Sequence, residues 1–407
     1  MRVLLLTDNF VPETNSPALR AYEHAKAWVD AGVPVTVVTT IPNFPTGKPL
    51  PPYRNRLYQR ESVEGINVVR VWSLLAPNSG IALRSLDFLS FAATGFVAGL
   101  FQEADVIVAT SPQMLTGLAG WWLGAARRKP WVLEVRDLWP DSIISVGVMQ
   151  ENLFIRLLRR LEHRLYRHAA RVVAVSSGIK DRLIARGVPA AKVGVVPNGV
   201  NCRRMADAKE TAAAREIPPS SGRFTAAYVG THGMAQGLET VLQAANLLRD
   251  NDVHFNFVGD GARRQAMVAL AGQMGLKNVS FAGLVPLAAA AEYLHASDVV
   301  LIPLKRTDQI EITLPGKIFE AAAAGKPMIV SAEGASADLI LRYEAGLIVS
   351  PENPPALAAA IRRLQKDAGL REKLAQGSLA LARDFDREHF ARDMLIELQR
   401  AIAAGLP

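Results

Sequence analysis

The densest group of residues able to do chemistry together runs from Thr313 to Pro327, TLPGKIFEAAAAGKP. Pro315 suits the first turn of a helix, Gly316 allows close approach to the backbone, and the unpaired N–H groups of a helix start attract anions. Lys317 brings a full positive charge to the same end. Glu320 follows one turn later, placed to accept hydrogen bonds from the vicinal hydroxyls of a sugar. Amides and a cation for a diphosphate, with a carboxylate for a sugar, describe a nucleotide-sugar site. The same residues also describe a plain helix with an acidic group near its start, which the helix dipole favours by itself.

Other loops offer weaker material. Val229–Glu239 (VGTHGMAQGLE) ends a strand pattern in a glycine-punctuated loop whose amides can reach phosphate oxygens, with Gly230, His232 and Gly233 as its contacts. A lone loop histidine is also an ordinary surface or capping residue. Val258–Arg264 (VGDGARR) begins like a dinucleotide fingerprint, but Arg264 stands where the third glycine belongs. Arg263 and Arg264 at a helix start oppose the helix dipole, which argues for an anionic ligand there. Arg136–Asp141 (RDLWPD) follows an apolar strand pattern and offers Arg136 and Asp137 at a sheet's carboxyl end, or else a structural loop around Trp139. After the first strand pattern, Asn15, Ser16 and Arg20 lie in a loop-to-helix turn that can reach a ligand.

These loops need strands to hold them. Short apolar, β-branched runs alternate with helical patterns through almost the whole chain, the signature of parallel sheets covered by helices on both faces. The runs are Val3–Leu6, Val35–Thr39, Val68–Trp72, Val106–Ala109, Trp131–Val135, Val172–Val175 and Val193–Val196 in the first half. Phe224–Val229, His254–Val258, Val279–Phe281, Val299–Ile302, Pro327–Val330 and Leu347–Val349 follow in the second. They predict an α/β protein of two doubly wound sheets, with six or seven strands each, whose ligands sit beyond the strands' carboxyl ends. The first domain is expected over 1–203 and the second over 204–386, with a polar linker at Lys209–Gly222 and an amphipathic helix, 387–407, returning to the first.

Composition narrows the classes further. Half the residues are apolar, 21% are charged and Cys202 is the single cysteine, which excludes disordered, collagenous and disulfide-framed chains. The net charge is +8, and residues 1–200 hold all of it, with 23 Lys and Arg against 15 Asp and Glu. The first half is therefore expected to meet nucleic acid, a membrane surface or a phosphate-bearing substrate. Leu153–His168 carries five arginines between leucines at helical spacing, which predicts leucines facing a core and arginines facing solvent. Arg54, Arg56, Arg60 and Arg84 flank the apolar Leu83–Phe101, a combination that fits a helix lying in the interface of an anionic membrane. Val3–Leu6 is too short for a secretory segment, and Ile81–Phe101 is interrupted by Arg84, Ser85, Asp87, Ser90 and Thr94, so a span is not expected. The histidines form no H-x-x-x-H pair, and the D-x-D triplets at 250–252 and 384–386 fall in helix-end loops, so no metal site is expected.

With these residues in view, the chain resembles retaining glycosyltransferases of family 4, which have the GT-B fold of two facing Rossmann-like domains. Within them it is similar to the bacterial fucosamine-transferase type that acts in O-antigen, capsule and colanic-acid assembly. Thr40–Lys48 (TIPNFPTGK), Arg136–Asp141, Pro197–Asn201, Gly230–Glu239 and Pro315–Pro327 carry the likeness, which extends over nearly the whole chain. Of the family's E-x7-E motif, the second Glu, which binds the nucleotide ribose, matches Glu320. Ile312 stands where the first is found, leaving Glu311 or Gln309 as the substitute. Thr231 and Gln236 occupy the region of the family's diphosphate-gripping Arg and Lys, which leaves Lys317 and Arg263 to neutralise the diphosphate.

The resemblance implies a donor site of Gly230, His232, Gly233, Arg263, Pro315, Gly316, Lys317 and Glu320. It gives acceptor contacts to Asn15, Ser16, Arg20 and Arg136, and a catalytic set of Asp137, Lys317 and Glu311. It implies a metal-independent, hexosyl-type transferase that moves a sugar, an N-acetylated hexosamine or deoxyhexosamine, from a UDP-sugar to a polyprenyl-diphosphate-linked saccharide. The enzyme is expected to be cytoplasmic, peripheral at the anionic inner face of the plasma membrane, and without a cofactor. A UDP-sugar 2-epimerase on the same architecture is the alternative; the basic first half speaks against it. Nucleic acid is set aside as a partner, because the donor motifs fall in the electrically neutral second half.

Overall fold

The computed structural model describes residues 1–44, 46–76, 81–111, 114–145, 149–212 and 222–405. Pro45 of the Thr40–Lys48 motif and most of the 209–222 linker fall outside them. The chain divides into two compact units, Met1–Pro197 with Arg387–Pro407, and Asn198–Asp386.

The first unit is built on eight strands: β1 (Val3–Leu6), β2 (Val35–Thr40), β3 (Tyr58–Val63), β4 (Ile66–Val71), β5 (Val106–Thr110), β6 (Trp131–Val135), β7 (Arg171–Ala174) and β8 (Val193–Val195). Their order is β3-β4-β2-β1-β5-β6-β7-β8, parallel except for the β3–β4 hairpin. Every side chain of β1, β5 and β6 is buried, as expected where helices cover both faces. The strand absent from the sequence reading is β3, YQRESV, which alternates exposed and half-buried residues at the sheet's edge. An antiparallel edge strand needs no buried face, and so leaves no apolar run to read.

The helix Ser16–Asp30 packs beside the C-terminal helix Arg387–Ala404: Trp28 Nε1 donates to Ala391 O at 2.8 Å, and Arg387 is ion-paired with Glu23. The return of the last helix to the first unit is thus as expected. The helix Ile81–Leu100 buries Phe88, Phe91, Ala92 and Ala98, while Leu83, Leu86, Leu89, Val97 and Leu100 are exposed on its other side. By length and composition alone, Leu83–Leu100 would suffice to cross a membrane. Its packing on β2, β4 and the helix Met114–Arg127 makes it a covering helix of this sheet. In the helix Leu153–His168 the expected division fails: Leu165 is buried, but Leu153, Phe154 and Leu157 are exposed alongside the arginines.

The second unit holds β9 (Phe224–Val229), β10 (Val253–Val258), β11 (Val279–Gly283), β12 (Val299–Pro303), β13 (Met328–Ser331) and β14 (Gly346–Val349), in the order β11-β10-β9-β12-β13-β14. This is the 3-2-1-4-5-6 order of a dinucleotide-fold sheet. The units divide at Pro197 and Asn198, several residues before the expected 203/204 boundary. The helix Cys202–Ala212 buries Met205 and Ala208 in the second unit's core, against the helix Leu287–Ala296. A polar sequence hid an amphipathic helix that belongs to the second unit.

Candidate functional site

In the second unit β9 has β10 on one side and β12 on the other, and the loops after β9 and β12 flank the point where strand order reverses. Ligands of such sheets bind there. The two loops are joined: Gly237 N donates to Pro303 O at 2.7 Å and Lys305 N to Ala235 O at 3.1 Å. The loop after β10 closes on the β9 loop through two glycines. Gly259 has φ 126°, and a Cβ there would lie 2.0 Å from Gly230 O; Gly261 has φ 153°, and its Cβ would lie 2.6 Å from His232 O. His232 N donates to Asp260 O at 2.9 Å, and Arg263 N to His232 O at 3.0 Å. The G-x-G at 259–261 is therefore a close backbone contact between loops, which explains it without a third glycine.

Lys317 lies in the first turn of the helix Gly316–Ala323, behind Pro315, and among the described residues no side chain caps that helix start. Its Nζ donates to Gln236 Oε1 at 2.6 Å and to the Tyr228 hydroxyl at 3.0 Å, 4.4 Å from the centre of the Tyr228 ring. The Tyr228 hydroxyl donates onward to Thr231 O at 2.6 Å. Burial pushes the Lys317 ammonium down to about 7, against the opposing pull of Glu320. A Cβ on Gly230 would stand 3.5 Å from Lys317 Nζ, so that the glycine backbone faces the amine. His232 is 0% exposed, and neither ring nitrogen has a hydrogen-bond partner among the described residues. Burial takes its pKa down to about 4, so the ring is neutral at pH 7. An orphaned, neutral imidazole beside a half-buried amine and open helix amides forms a site prepared for an anion with acceptor oxygens.

Glu320 borders a cavity of about 330 Å³ whose walls include Val229, Leu287, Leu294, Arg204 and Asp207. Arg204 and Asp207 come from the Cys202–Ala212 helix, which the sequence reading had taken partly for linker. Glu311 ends the short helix Asp308–Glu311; its carbonyl lies 2.4 Å from where a Cβ on Gly334 would be, and Ser336 Oγ donates to Thr313 O at 3.1 Å. The loop after β13 thereby fixes the segment that replaces the first Glu of the E-x7-E pattern. Gln309, the other substitute, has a buried Nε2 without a hydrogen-bond partner among the described residues. Arg263 is ion-paired with Glu239 at the start of the helix Leu238–Leu247, so its charge is answered within the protein rather than held open for a ligand. Tyr228 and Gln236 were not among the expected site residues. The signal for Tyr228 was a single phenol in the mostly apolar strand FTAAYV, two residues before Gly230. Among the described residues no three His, Cys, Asp or Glu side chains gather as a metal site.

In the first unit, Asn15 caps the Ser16–Asp30 helix, its Oδ1 accepting from Ala18 N at 2.9 Å. Arg136, 9% exposed, reaches Ser16 Oγ at 3.4 Å, while its Nε has no hydrogen-bond partner among the described residues; burial lowers its pKa to about 10. Beside it, burial raises the partly buried Asp137 carboxyl against the pull of Arg136. Asn15, Ser16, Arg136 and Asp137 are thus neighbours in space or sequence. Arg20 is different. It is 1% exposed, its Nε and Nη2 lie 2.9 Å from Glu134 Oε1, and its Nη1 and Nη2 donate to Pro197 O at 2.7 Å and Val196 O at 2.9 Å. Burial alone would raise Glu134, but Arg20, Arg136 and His24 outweigh it and hold the carboxyl at about 2. Arg20 is a buried brace from the first helix to β6 and the end of β8, and the expectation that it contacts an acceptor is corrected accordingly.

Comparison with known proteins agrees with this architecture. Residues 17–199 match the glycosyl transferase 4-like domain, and residues 223–367 match glycosyl transferases group 1. WcaI of Escherichia coli K12, described as a colanic acid biosynthesis glycosyl transferase, is 26% identical over 98% of this chain and 100% of its own. Sucrose-phosphate synthase from Thermosynechococcus elongatus has the same fold, with a TM-score of 0.79 at 20% identity, covering 99% of this chain and 100% of its own. HepE of Anabaena, solved in complex with UDP-glucose, gives a TM-score of 0.72 at 18% identity over 98% of this chain and 99% of its own. Two matched domains, each on its own parallel sheet, and a relative aligned from end to end make this chain a glycosyltransferase, a member of the group 1, 4-like family with the GT-B fold.

Proposed function

We propose that the chain transfers a sugar from a UDP-sugar to a lipid-linked saccharide during assembly of a bacterial surface polysaccharide, with retention at the anomeric carbon and without a metal. The observation that carries the donor half is the meeting of Lys317, Gly230, Gly316, Pro315 and the orphaned His232 at the carboxyl end of β9. A departing UDP needs its new negative charge stabilised by groups already in place. The Lys317 ammonium, the open amides at Gly316 and Lys317 and the Gly230–Gly233 backbone are such groups. The cavity beside Glu320 is of a size for a nucleoside, with the carboxylate at the ribose hydroxyls and apolar walls for the base. In a front-face transfer the leaving phosphate itself takes the acceptor's proton, so no protein base is required. Glu311 is then left to touch the donor sugar, and Asn15, Ser16, Arg136 and Asp137 to orient the acceptor. WcaI supports the choice of a surface polysaccharide, and UDP bound to HepE supports the choice of donor.

The enzyme works at an anionic, cytoplasmic membrane face in this reading. The exposed Leu83, Leu86, Leu89 and Val97, with Phe101 76% exposed, form an apolar stripe on a helix of the basic half. Arg54 and Arg56 are exposed nearby, tied in by Asn55 Nδ2 donating to Ser73 O at 2.8 Å. Arg84, counted with them from sequence, turns instead over the Phe88 ring at 5.4 Å and toward Asp8 and Asp87. The test of the donor assignment is thermal: UDP should raise the melting temperature, and Glu320→Ala should abolish the rise. An unchanged rise in the mutant removes Glu320 from the nucleotide site.

A further inference from the structure

Lys317 is a half-buried residue whose amine makes two hydrogen bonds, both to uncharged groups, the Gln236 amide oxygen at 2.6 Å and the Tyr228 hydroxyl at 3.0 Å. We propose that Tyr228 and Gln236 are positioning residues that make Lys317 a proton-coupled phosphate clamp: the amine takes a proton from solvent as a nucleoside diphosphate enters, and binding consumes that proton. The inference rests on the donor site described above.

The atoms balance simply. A neutral amine has two N–H groups and one lone pair, and here two N–H groups are matched by two acceptors. Since the Tyr228 hydroxyl gives its own hydrogen to Thr231 O, its oxygen is left to accept from Nζ, so the pairing is directional. The lone pair is the remaining position. A proton added there creates a third N–H, and that N–H is the one available to a phosphate oxygen. No other bond forms or breaks.

The surroundings favour this order of events. Around the amine stand the Tyr228 ring at 4.4 Å from β9, Gln236 and the neutral His232 from the following loop, and Glu320 one turn along its own helix. Asp260 and Arg264, from the β10 loop, act on His232 with opposite signs. Glu320 is the carboxylate that favours the ammonium, and burial outweighs it. A diphosphate in the site adds negative charge in direct contact with Nζ, which reverses the preference. With the free amine half-protonated at about 7, roughly nine-tenths of it is neutral at pH 8 and roughly one-tenth at pH 6.

The experiment is calorimetric titration of UDP into the full chain at pH 8, in HEPES and in Tris, whose ionisation heats differ. Wild type should take up close to one proton per UDP, and its affinity should fall about tenfold per pH unit above the midpoint. Lys317→Arg, a permanent cation, should bind UDP with uptake near zero and an affinity that no longer depends on pH in this way. Gln236→Glu, nearly the same shape, supplies a counter-charge to the empty site, so it too should abolish the uptake. Equal melting temperatures for wild type and Gln236→Glu show that the fold is intact. UDP bound by wild type without proton uptake, or equal uptake by Lys317→Arg, overturns the inference and leaves the donor site standing. Absence of UDP binding by wild type at every pH overturns the donor site and the inference with it.

Discussion

Gly259→Ala tests the joint between the β9 and β10 loops, on which the donor site depends. A Cβ at this position would lie 2.0 Å from Gly230 O and 2.9 Å from Gly230 C. An ordinary carbon–oxygen contact is about 3.3 Å, so the loops have to part by more than about 1 Å. The residue also sits at φ 126°, and holding an L-residue there costs on the order of 1–3 kcal/mol. Parting the loops weakens the hydrogen bonds Gly230 N to Val258 O and His232 N to Asp260 O, each 2.9 Å, at about 1 kcal/mol apiece. The expected cost is about 3–5 kcal/mol, which in a unit of this size lowers the melting temperature by on the order of 10 °C. Because Gly230 faces Lys317, the stabilisation by UDP should vanish as well. Gly272→Ala is the matched control: it lies in the helix Arg264–Gln273 with nothing within 4 Å of its Cβ, and should gain about 0.5–1 kcal/mol. The assay is thermal melting with and without UDP. A Gly259→Ala protein that melts within about 2 °C of wild type and still responds to UDP would refute the interlocking-loop argument, since the structure leaves a Cβ no room.

Three further outcomes follow from the same structure. Arg20→Ala should cost about 3–5 kcal/mol in urea denaturation, because it leaves Glu134 buried without its main partner; a loss below about 1 kcal/mol would mean that Arg20 is no brace. His232 has its folded pKa depressed to about 4 from an unfolded value near 6.5, so the stability it contributes is complete above pH 6.5 and is lost as pH falls toward 4. That amounts to roughly 2–3 kcal/mol between pH 7.5 and 4.5, and His232→Asn should lose correspondingly less over the same range in urea midpoints. Replacing Leu86, Leu89 and Val97 by serine, together with Arg54→Glu and Arg56→Glu, should reduce sedimentation with phosphatidylglycerol vesicles at low salt; undiminished sedimentation would remove this stripe from the membrane reading.

What the sequence disclosed depended on whether a residue's neighbours were local. The buried parallel strands announced themselves as apolar runs, because both faces of each strand are covered, and the six of the second unit are all found where they were expected. β3 was not legible, since an edge strand with polar residues on both faces has no pattern to show. Lys317 and Glu320 stood out because a helix start concentrates chemistry within one turn. Tyr228, Gln236 and Arg204 reach the same region from 89, 81 and more than 100 residues away along the chain, and no local spacing marks them. Arg20 was misread for the complementary reason. An arginine after a β1 loop looks like a ligand contact until Glu134, a lone carboxylate within the apolar strand WVLEV, is seen to hold it.

The charge asymmetry is sharpened by the same pairings. Of the basic residues in the first half, Arg20, Arg70, Arg171 and Arg186 are answered by Glu134, Glu61, Glu397 and the pair Asp141 and Glu162. Arg54, Arg56, Arg160, Arg164 and Arg167 are exposed and make no ion pair among the described residues. The excess is therefore an outward-facing one, set beside exposed apolar side chains on two covering helices, and it is screened over about 10 Å at ordinary ionic strength. Lys317 works by the opposite principle. In the proposed donor site a single half-buried amine with neutral partners would meet a phosphate at contact distance, where little solvent intervenes and screening is weak. An electrically neutral second half is thus compatible with diphosphate binding, since the strength of the interaction comes from enclosure and position rather than from the number of charges.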